Sequence, residues 1–305
     1  MKALILYWSI SGTTQRVAER IAEGIRSAGA ECVMHDLRGG IPDDAVLHDI
    51  IGVGFPVHYF RPPSVVSDCI SELGRLDGRS VFAFSLNGTT RGAALNRVRS
   101  ALARAGGDEI GTFTSYGEDN FYPYARQGWL FSPDHPTERE LQAAGEFGAG
   151  LVAAHRRRCA DGALPVSRSR DPHTHPVHAL ERLVTGPFLT RNVYSRLFRV
   201  DPERCTSCGK CARRCPVRNI AWKHGALPRW GRGCVLCLDC VTTCPEEAVR
   251  CPLDWSVFRP FMLWNVRHAL GDPDLAHTRV EHRGGRFTRL DDLQTPIGTD
   301  RQDVT

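Results

Sequence analysis

The sequence predicts an α/β chain: a doubly wound, five-stranded parallel sheet followed by a small cysteine-rich α+β domain. Three observations predict it. Short apolar runs alternate with amphipathic stretches through the first half of the chain, which is the pattern of βαβ units on a parallel sheet. Eight of the twelve cysteines fall in two copies of the spacing C-x2-C-x2-C-x3-C-P, at residues 205–216 and 234–245. The 305 residues are enough for two domains and a sizeable core.

Taken in order, Ala3–Trp8 is the first strand candidate, a short apolar run that stops at a Gly/Thr-rich loop and lacks the small-residue cleavage site of a signal peptide. Thr13–Ala28 follows as a helix, with Val17, Ile21 and Ile25 on one face and Gly29 closing it. Glu31–Leu37, Ile50–Phe55, Ser80–Leu86 and Glu109–Ser115 complete the strands, and Val65–Leu73, Ala93–Ala105 and Glu138–Arg157 the helices. The segment 161–178 is Pro-rich and aperiodic, so it reads as a link. Its His173, His175 and His178 are metal-ligand types, but Pro172 and Pro176 break any helix that would align them. Ala179–Phe198 is a helix interrupted near Gly186-Pro187, suited to docking one domain on the other. Beyond Asp254, a helix is apolar through Phe261, Trp264 and Leu270, a hairpin is expected at Gly284-Gly285, and the last ten or so residues carry no fold expectation. The divisions are therefore 1–159, a link and docking helix at 160–198, a cysteine-rich domain at 199–255, and a partly disordered extension at 256–305.

The cysteine runs carry the most specific chemistry. Structural zinc also uses C-x2-C pairs, and disulfides use cysteines in even number, but two four-cysteine runs each ending in Cys-Pro resemble bacterial ferredoxins with two [4Fe-4S] clusters. In that family three thiolates of a run hold one cluster and the fourth serves the other. The resemblance thus implies Cys205, Cys208, Cys211 and Cys244 for one cluster, and Cys234, Cys237, Cys240 and Cys215 for the other. Pro216, Val217, Ile220, Val235, Leu236, Val249 and Pro252 would keep water off them. Cys32, Cys69 and Cys159 read as small apolar packing residues, and Cys251 as a neighbour of a cluster, not a ligand.

The first strand-to-helix loop, S-I-S-G-T-T, places hydroxyls and free amides at a helix N-terminus, where an anion binds or where a plain N-cap run sits. It lacks the G-K-[ST] of a Walker loop and the G-x-G-x-x-G of a dinucleotide fingerprint. Strand, loop and helix together resemble flavodoxins, and the chain as a whole is similar to the flavodoxin/ferredoxin fusion family over about residues 1–255. The resemblance implies FMN, with its phosphate on Ser9, Ser11, Gly12, Thr13 and Thr14. Pro56, Val57, His58 and Tyr59 would line one side of the ring, and Asn87, Gly88, Thr89, Thr90 and Arg91 the other, with Asn120 contributing from Tyr116–Tyr124. Ser11 stands where many flavodoxins have Thr. Trp8, Tyr59, Phe60 and Tyr122 are all available to stack on the ring. His58 could give a proton to the flavin or simply bond backbone; Arg91 could steady a reduced, anionic flavin or be solvated.

A two-electron flavin joined to one-electron clusters implies an electron-transfer protein serving a low-potential reductase or radical enzyme. The alternatives are a self-contained reductase of a small substrate, fed through the clusters, and a redox-responsive regulator. The net charge of +5 is carried by Arg, since Lys occurs only at positions 2, 210 and 223. Basic stretches without a stacking platform of aromatics argue against nucleic acid and for a protein partner with an acidic face or simply a solvated face. No apolar run reaches the ~18 residues of a membrane span, and cysteine used as metal ligand suits the cytoplasm.

Overall fold

The computed structural model describes residues 1–162 and 176–290. Five strands, β1 (Lys2–Tyr7), β2 (Glu31–Asp36), β3 (Ile50–Pro56), β4 (Ser80–Asn87) and β5 (Asp108–Tyr116), form one sheet in the order β2-β1-β3-β4-β5. Every pairing in it is parallel. This is the expected doubly wound sheet, with its switch point between β1 and β3, where ligands of such sheets bind at the strands' C-terminal ends.

Helices α1 (Thr13–Ser27) and α5 (Glu138–Asp161) cover one face, and α2 (Ser64–Leu73) and α3 (Ala94–Arg104) the other. On α1, Val17, Ala18, Ile21, Ala22 and Ile25 are fully buried, because the spacing of these apolar residues puts them on a single stripe. β4 is buried along its whole length, as a central strand of a two-layered parallel sheet must be. Trp8 is wholly buried in the core. It packs under the ligand loops and does not line the cavity described below.

Two further short elements, α4 (Tyr122–Arg126) and β6 (Trp129–Phe131), follow β5. After the link come α6 (Pro176–Val184) and α7 (Pro187–Asn192), broken at Gly186-Pro187 where the sequence indicates. The cysteine-rich domain contains two two-stranded antiparallel pairs. One joins β7 (Arg199–Val200) to β10 (Val249–Arg250), and the other joins β8 (Ile220–Ala221) to β9 (Arg229–Trp230). Between these strands lie the short helices α8 (Lys210–Arg214) and α9 (Asp239–Thr242).

The C-terminal portion returns to the first domain. Helix α10 (Arg259–Leu270) buries Met262, Asn265, Val266 and Ala269, a different face from the expected Phe261, Trp264 and Leu270. The difference follows from a buried polar contact in which Asn265 reaches Glu181 of α6. A hairpin of β11 (His277–Arg283) and β12 (Arg286–Arg289), turning at Gly284-Gly285, adds to β6 as a three-stranded sheet. It also touches the cysteine-rich domain: His282 Nε2 lies 2.8 Å from the Thr242 carbonyl, and the Gly284 amide donates to Glu247 at 3.0 Å. His173, His175 and residues 291–305 lie outside the described residues. His178 is buried on α6, stacked on Phe60 at 4.3 Å.

Candidate functional site

β1 runs into the loop Ser9–Thr14 at the switch point of the sheet. Gly12, with φ 91, turns the chain into α1 in a left-handed conformation, and no side chain caps the helix. The first-turn amides and the positive end of a fifteen-residue helix are thus left facing outward. The Gly12 amide donates to Ser9 Oγ at 3.1 Å, and the hydroxyls of Ser11 and Thr13 share a hydrogen bond at 3.1 Å. Thr14 Oγ1 is buried and has no hydrogen-bond partner among the described residues. An orphaned buried hydroxyl beside an uncapped helix N-terminus is what a phosphate would satisfy.

These residues open on a cavity of about 460 Å³. Ile10, Ser11, Thr13 and Thr14 line it from the first loop, Pro56 to Phe60 from the second, Leu86 to Thr90 from the third, and Gly117 to Phe121 from the fourth. A Cβ on Gly88 would lie 2.2 Å from that of Asp119, so only glycine allows the third and fourth loops to meet here. The fourth loop is held by the Ser115 hydroxyl and the Tyr116 amide, both donating to Glu140 at 3.1 Å, while Glu140 also closes the capping box of α5 with Thr137. Ser9 and Gly12 sit behind the wall, and Arg91 is exposed and outside it. Of the four candidate stacking aromatics, Tyr59 and Phe60 line the cavity, whereas Tyr122 packs with the cysteine-rich domain.

The other wall was not legible from the sequence. It comprises Tyr124, Glu181 of α6, Phe287 of β12, and Arg214, Leu236, Cys237, Asp239, Thr242 and Thr243 of the cysteine-rich domain. Arg214 makes a two-pronged ion pair with Asp239 at 3.1 Å and lines the cavity, whereas Arg91 does not. Tyr59 ties the walls together, its hydroxyl donating to the Leu236 carbonyl at 2.9 Å. His58 lies edge-on to Trp8 at 5.2 Å. Burial lowers its pKa to about 4, so the imidazole is neutral at neutral pH and holds no acid proton to donate.

The cysteines assemble in two quartets. A second cavity is lined by Cys205, Cys208, Cys211 and Cys244. Burial pushes Cys211 up to about 11, and Cys244, Cys208 and Cys205 add to the effect. Burial likewise raises Cys237 and Cys240, with Cys234 and Cys215 among the neighbours that add to it. All twelve cysteines are free thiols.

The two runs also share a backbone. Ser207 and Leu236, Gly209 and Leu238, and Arg218 and Glu247 occupy equivalent places in the repeats, and all six have positive φ. Equivalent amides donate to the fourth sulfur of each run: Asn219 to Cys215 at 3.2 Å and Ala248 to Cys244 at 3.3 Å. Four soft thiols with amide donors to sulfur suit an iron–sulfur cluster, and binding iron would strip the protons that burial now favours. Cys208 is exposed, while Cys234 and Cys240 are buried. Cys251 is buried in the same apolar cluster as Phe198 and Leu253.

Comparison with known proteins matches the flavodoxin domain family to residues 4–119 and the 4Fe-4S binding domain family to residues 198–221. A coenzyme F420H2 oxidase of Methanothermobacter marburgensis is 28% identical over 165 residues, covering 51% of this chain and 36% of the oxidase. An uncharacterised ferredoxin of Methanocaldococcus jannaschii is 40% identical over 57 residues, covering 16% of this chain and 35% of the ferredoxin. The chain thus spans about a third of the length of each of these two relatives. Among solved structures, a flavodoxin from the domain Archaea has a TM-score of 0.42 at 19% identity, covering 51% of this chain and 99% of that one. Among the described residues no helix is long and apolar enough to cross a membrane.

Proposed function

We propose that this chain, a flavodoxin domain joined to a 4Fe-4S ferredoxin domain, carries electrons between an external one-electron protein and an FMN in its own cavity, through two [4Fe-4S] clusters in series. The flavodoxin domain implies FMN and the ferredoxin motif implies a 4Fe-4S cluster. The second cluster rests on the repeated backbone of the two cysteine runs.

One observation carries the series arrangement: Leu236 and Cys237 of the second run form part of the cavity wall, the Leu236 carbonyl accepting a hydrogen bond from Tyr59 of the flavodoxin domain. The cluster of Cys234, Cys237, Cys240 and Cys215 would therefore lie beside the flavin. The other, with Cys208 exposed, would lie toward solvent. Lys210 and Arg213, close by in sequence and both exposed, suit a partner with an acidic docking face. FMN would rest its phosphate on Ser11, Thr13, Thr14 and the α1 amides, with its ring among Pro56–Tyr59, Asn87–Thr90 and Asn120. The bound flavin supplies the exchange between paired and single electrons; the protein holds it, shields it and sets the path.

The test is anaerobic reconstitution followed by a reductive titration monitored by optical and EPR spectra. Two cubanes require about eight iron and eight sulfide per chain. Cys208→Ala and Cys237→Ala should each keep FMN but slow its exchange with a one-electron partner. A zinc-filled, sulfide-free protein, or unchanged exchange in either variant once its cluster is lost, refutes the series arrangement. The cavity of about 460 Å³ gives a second reading, in which a small substrate meets the flavin inside it; turnover of such a substrate with reduced ferredoxin as donor would select it.

A further inference from the structure

The flavin cavity contains two carboxyl groups that electron passage alone does not use. Asp119 lies on the fourth loop and Glu181 on α6, and both line the cavity. Glu181 is 5% exposed and Asp119 is partly buried, with no ion pair on either among the described residues. A carboxylate held out of water without a cation is costly, and such a group keeps its proton instead.

The neighbours point the same way. Among the described residues, the Glu181 side chain receives a hydrogen bond from the buried Asn265 of α10 at 3.2 Å, while the Asn265 Oδ1 atom has no partner. The two ends of an asparagine amide are interchangeable in assignment. Turned over, that orphaned oxygen accepts the proton of a neutral Glu181; as assigned, the amide donates to the ionised form. The site therefore has a hydrogen bond ready for each protonation state. Asp119 accepts from the Phe121 amide at 3.1 Å. The charged and titratable groups acting on the pair are Glu118 on Asp119, and Asp119 and Arg61 on Glu181. Tyr59 and Tyr124, both held neutral by burial, complete the surroundings. Arg61 is drawn off to the Arg182 carbonyl.

We propose that Asp119 and Glu181 are the proton store of the flavin cavity, giving the ring its proton as the clusters give it electrons. This inference rests on the flavin reading of the cavity. Two molecules of a reduced one-electron protein would each supply one electron, passed singly through the clusters. With both electrons a bound flavin would take one proton from a carboxylic acid of the pair, the O–H bond of that acid breaking as an N–H bond forms on the ring, and the carboxylate left behind would be reprotonated from solvent. His58, neutral and without a spare acid proton, leaves this task to the pair. Burial lifts Asp119 to about 6 and Glu181 to about 7, the charge of Asp119 adding to the latter, so Glu181 still holds a proton in part near neutral pH and Asp119 does so in mildly acidic solution.

The experiment uses the full chain with flavin and clusters. An infrared pH titration of the oxidised protein should show protonated carboxyl bands bleaching near pH 6 and pH 7. Asp119→Asn should remove the lower component and Glu181→Gln the upper. In rapid-mixing reduction the double variant should reduce its clusters at the original rate but its flavin about 100-fold more slowly, in line with loss of a positioned acid. The native flavin step should also slow as pH rises through the same range. Absence of any such band from the unaltered protein overturns the proposal without recourse to a variant, and so does an unchanged flavin rate in the double variant. A flavin that the clusters never reduce would refute the series arrangement instead, while the infrared titration still tests the two acids.

Discussion

Thr14→Val should move two measurements in opposite directions. Without flavin, the Thr14 hydroxyl is buried, 1% exposed, with no partner. An unsatisfied buried polar group costs about 1–3 kcal/mol. Valine has nearly the same shape and is β-branched like threonine, so the flavin-stripped chain should become more stable by about 1 kcal/mol. With flavin the sign reverses. A hydrogen bond to a charged phosphate contributes about 1.5–3 kcal/mol, which at about 1.4 kcal/mol per tenfold weakens FMN binding roughly 10- to 100-fold. Urea denaturation of the stripped full chain gives the first quantity, and quenching of FMN fluorescence on titration gives the second. A variant that loses stability without flavin, or binds FMN as before, would show that Thr14 serves α1 and not the phosphate.

Removing both hydroxyls in Ser11→Ala/Thr13→Ala should lower FMN retention through gel filtration by at least tenfold, because two donors at the uncapped helix end are lost; unchanged occupancy would place the phosphate elsewhere. Tyr59→Phe strands the Leu236 carbonyl and should cost about 1–3 kcal/mol in the denaturation that separates the domains, with the second cluster bleaching faster in air; equal stability and bleaching would remove Tyr59 as a tie. The raised pKa values of Asp119 and Glu181 mean that the folded state holds protons the unfolded state has released. Stability is thus fully present below their ordinary values of 3.8 and 4.5 and is lost as pH rises through about 6 and about 7. At about 1.4 kcal/mol per unit, Glu181 accounts for about 3 kcal/mol; Glu181→Gln should flatten that part of the denaturant-midpoint curve, and a variant with the native slope would refute the assignment.

Features with a local signature were legible in the sequence. The five strands announce themselves through apolar runs, and the two cysteine runs through spacing that few other chemistries share. The placement of the Ser9–Thr14 loop was readable because a hydroxyl-rich run stands between a strand and an amphipathic stretch, and the structure sets it at the N-terminus of α1 on the cavity. What escaped was assembled from distant segments. Glu181 stands in a nine-residue helix after an aperiodic link, Phe287 in a four-residue strand and Asp239 between two cysteines, and nothing in their neighbourhoods says that they share a wall. β6 has three residues and pairs with a strand nearly 150 residues later, a register that local periodicity cannot encode. For His58 the sequence left two roles open, and only its burial beside Trp8 and Tyr59 shows that its pKa lies well below that of an ordinary imidazole.

The β11–β12 hairpin bonds β6 on one side and Thr242 and Glu247 on the other, and this changes the kinetic order of the central step. Two separate carriers must find each other by diffusion, at a rate that rises with concentration and falls as salt screens their charges. Here the reaction partner is permanently present at the effective concentration of a tethered neighbour, so the internal transfer should be first order, indifferent to dilution and nearly so to ionic strength. Salt should act only on the encounter with the external protein. Measured across a salt series, the chain should therefore give one rate that moves and one that does not, and the moving rate belongs to the face around Cys208.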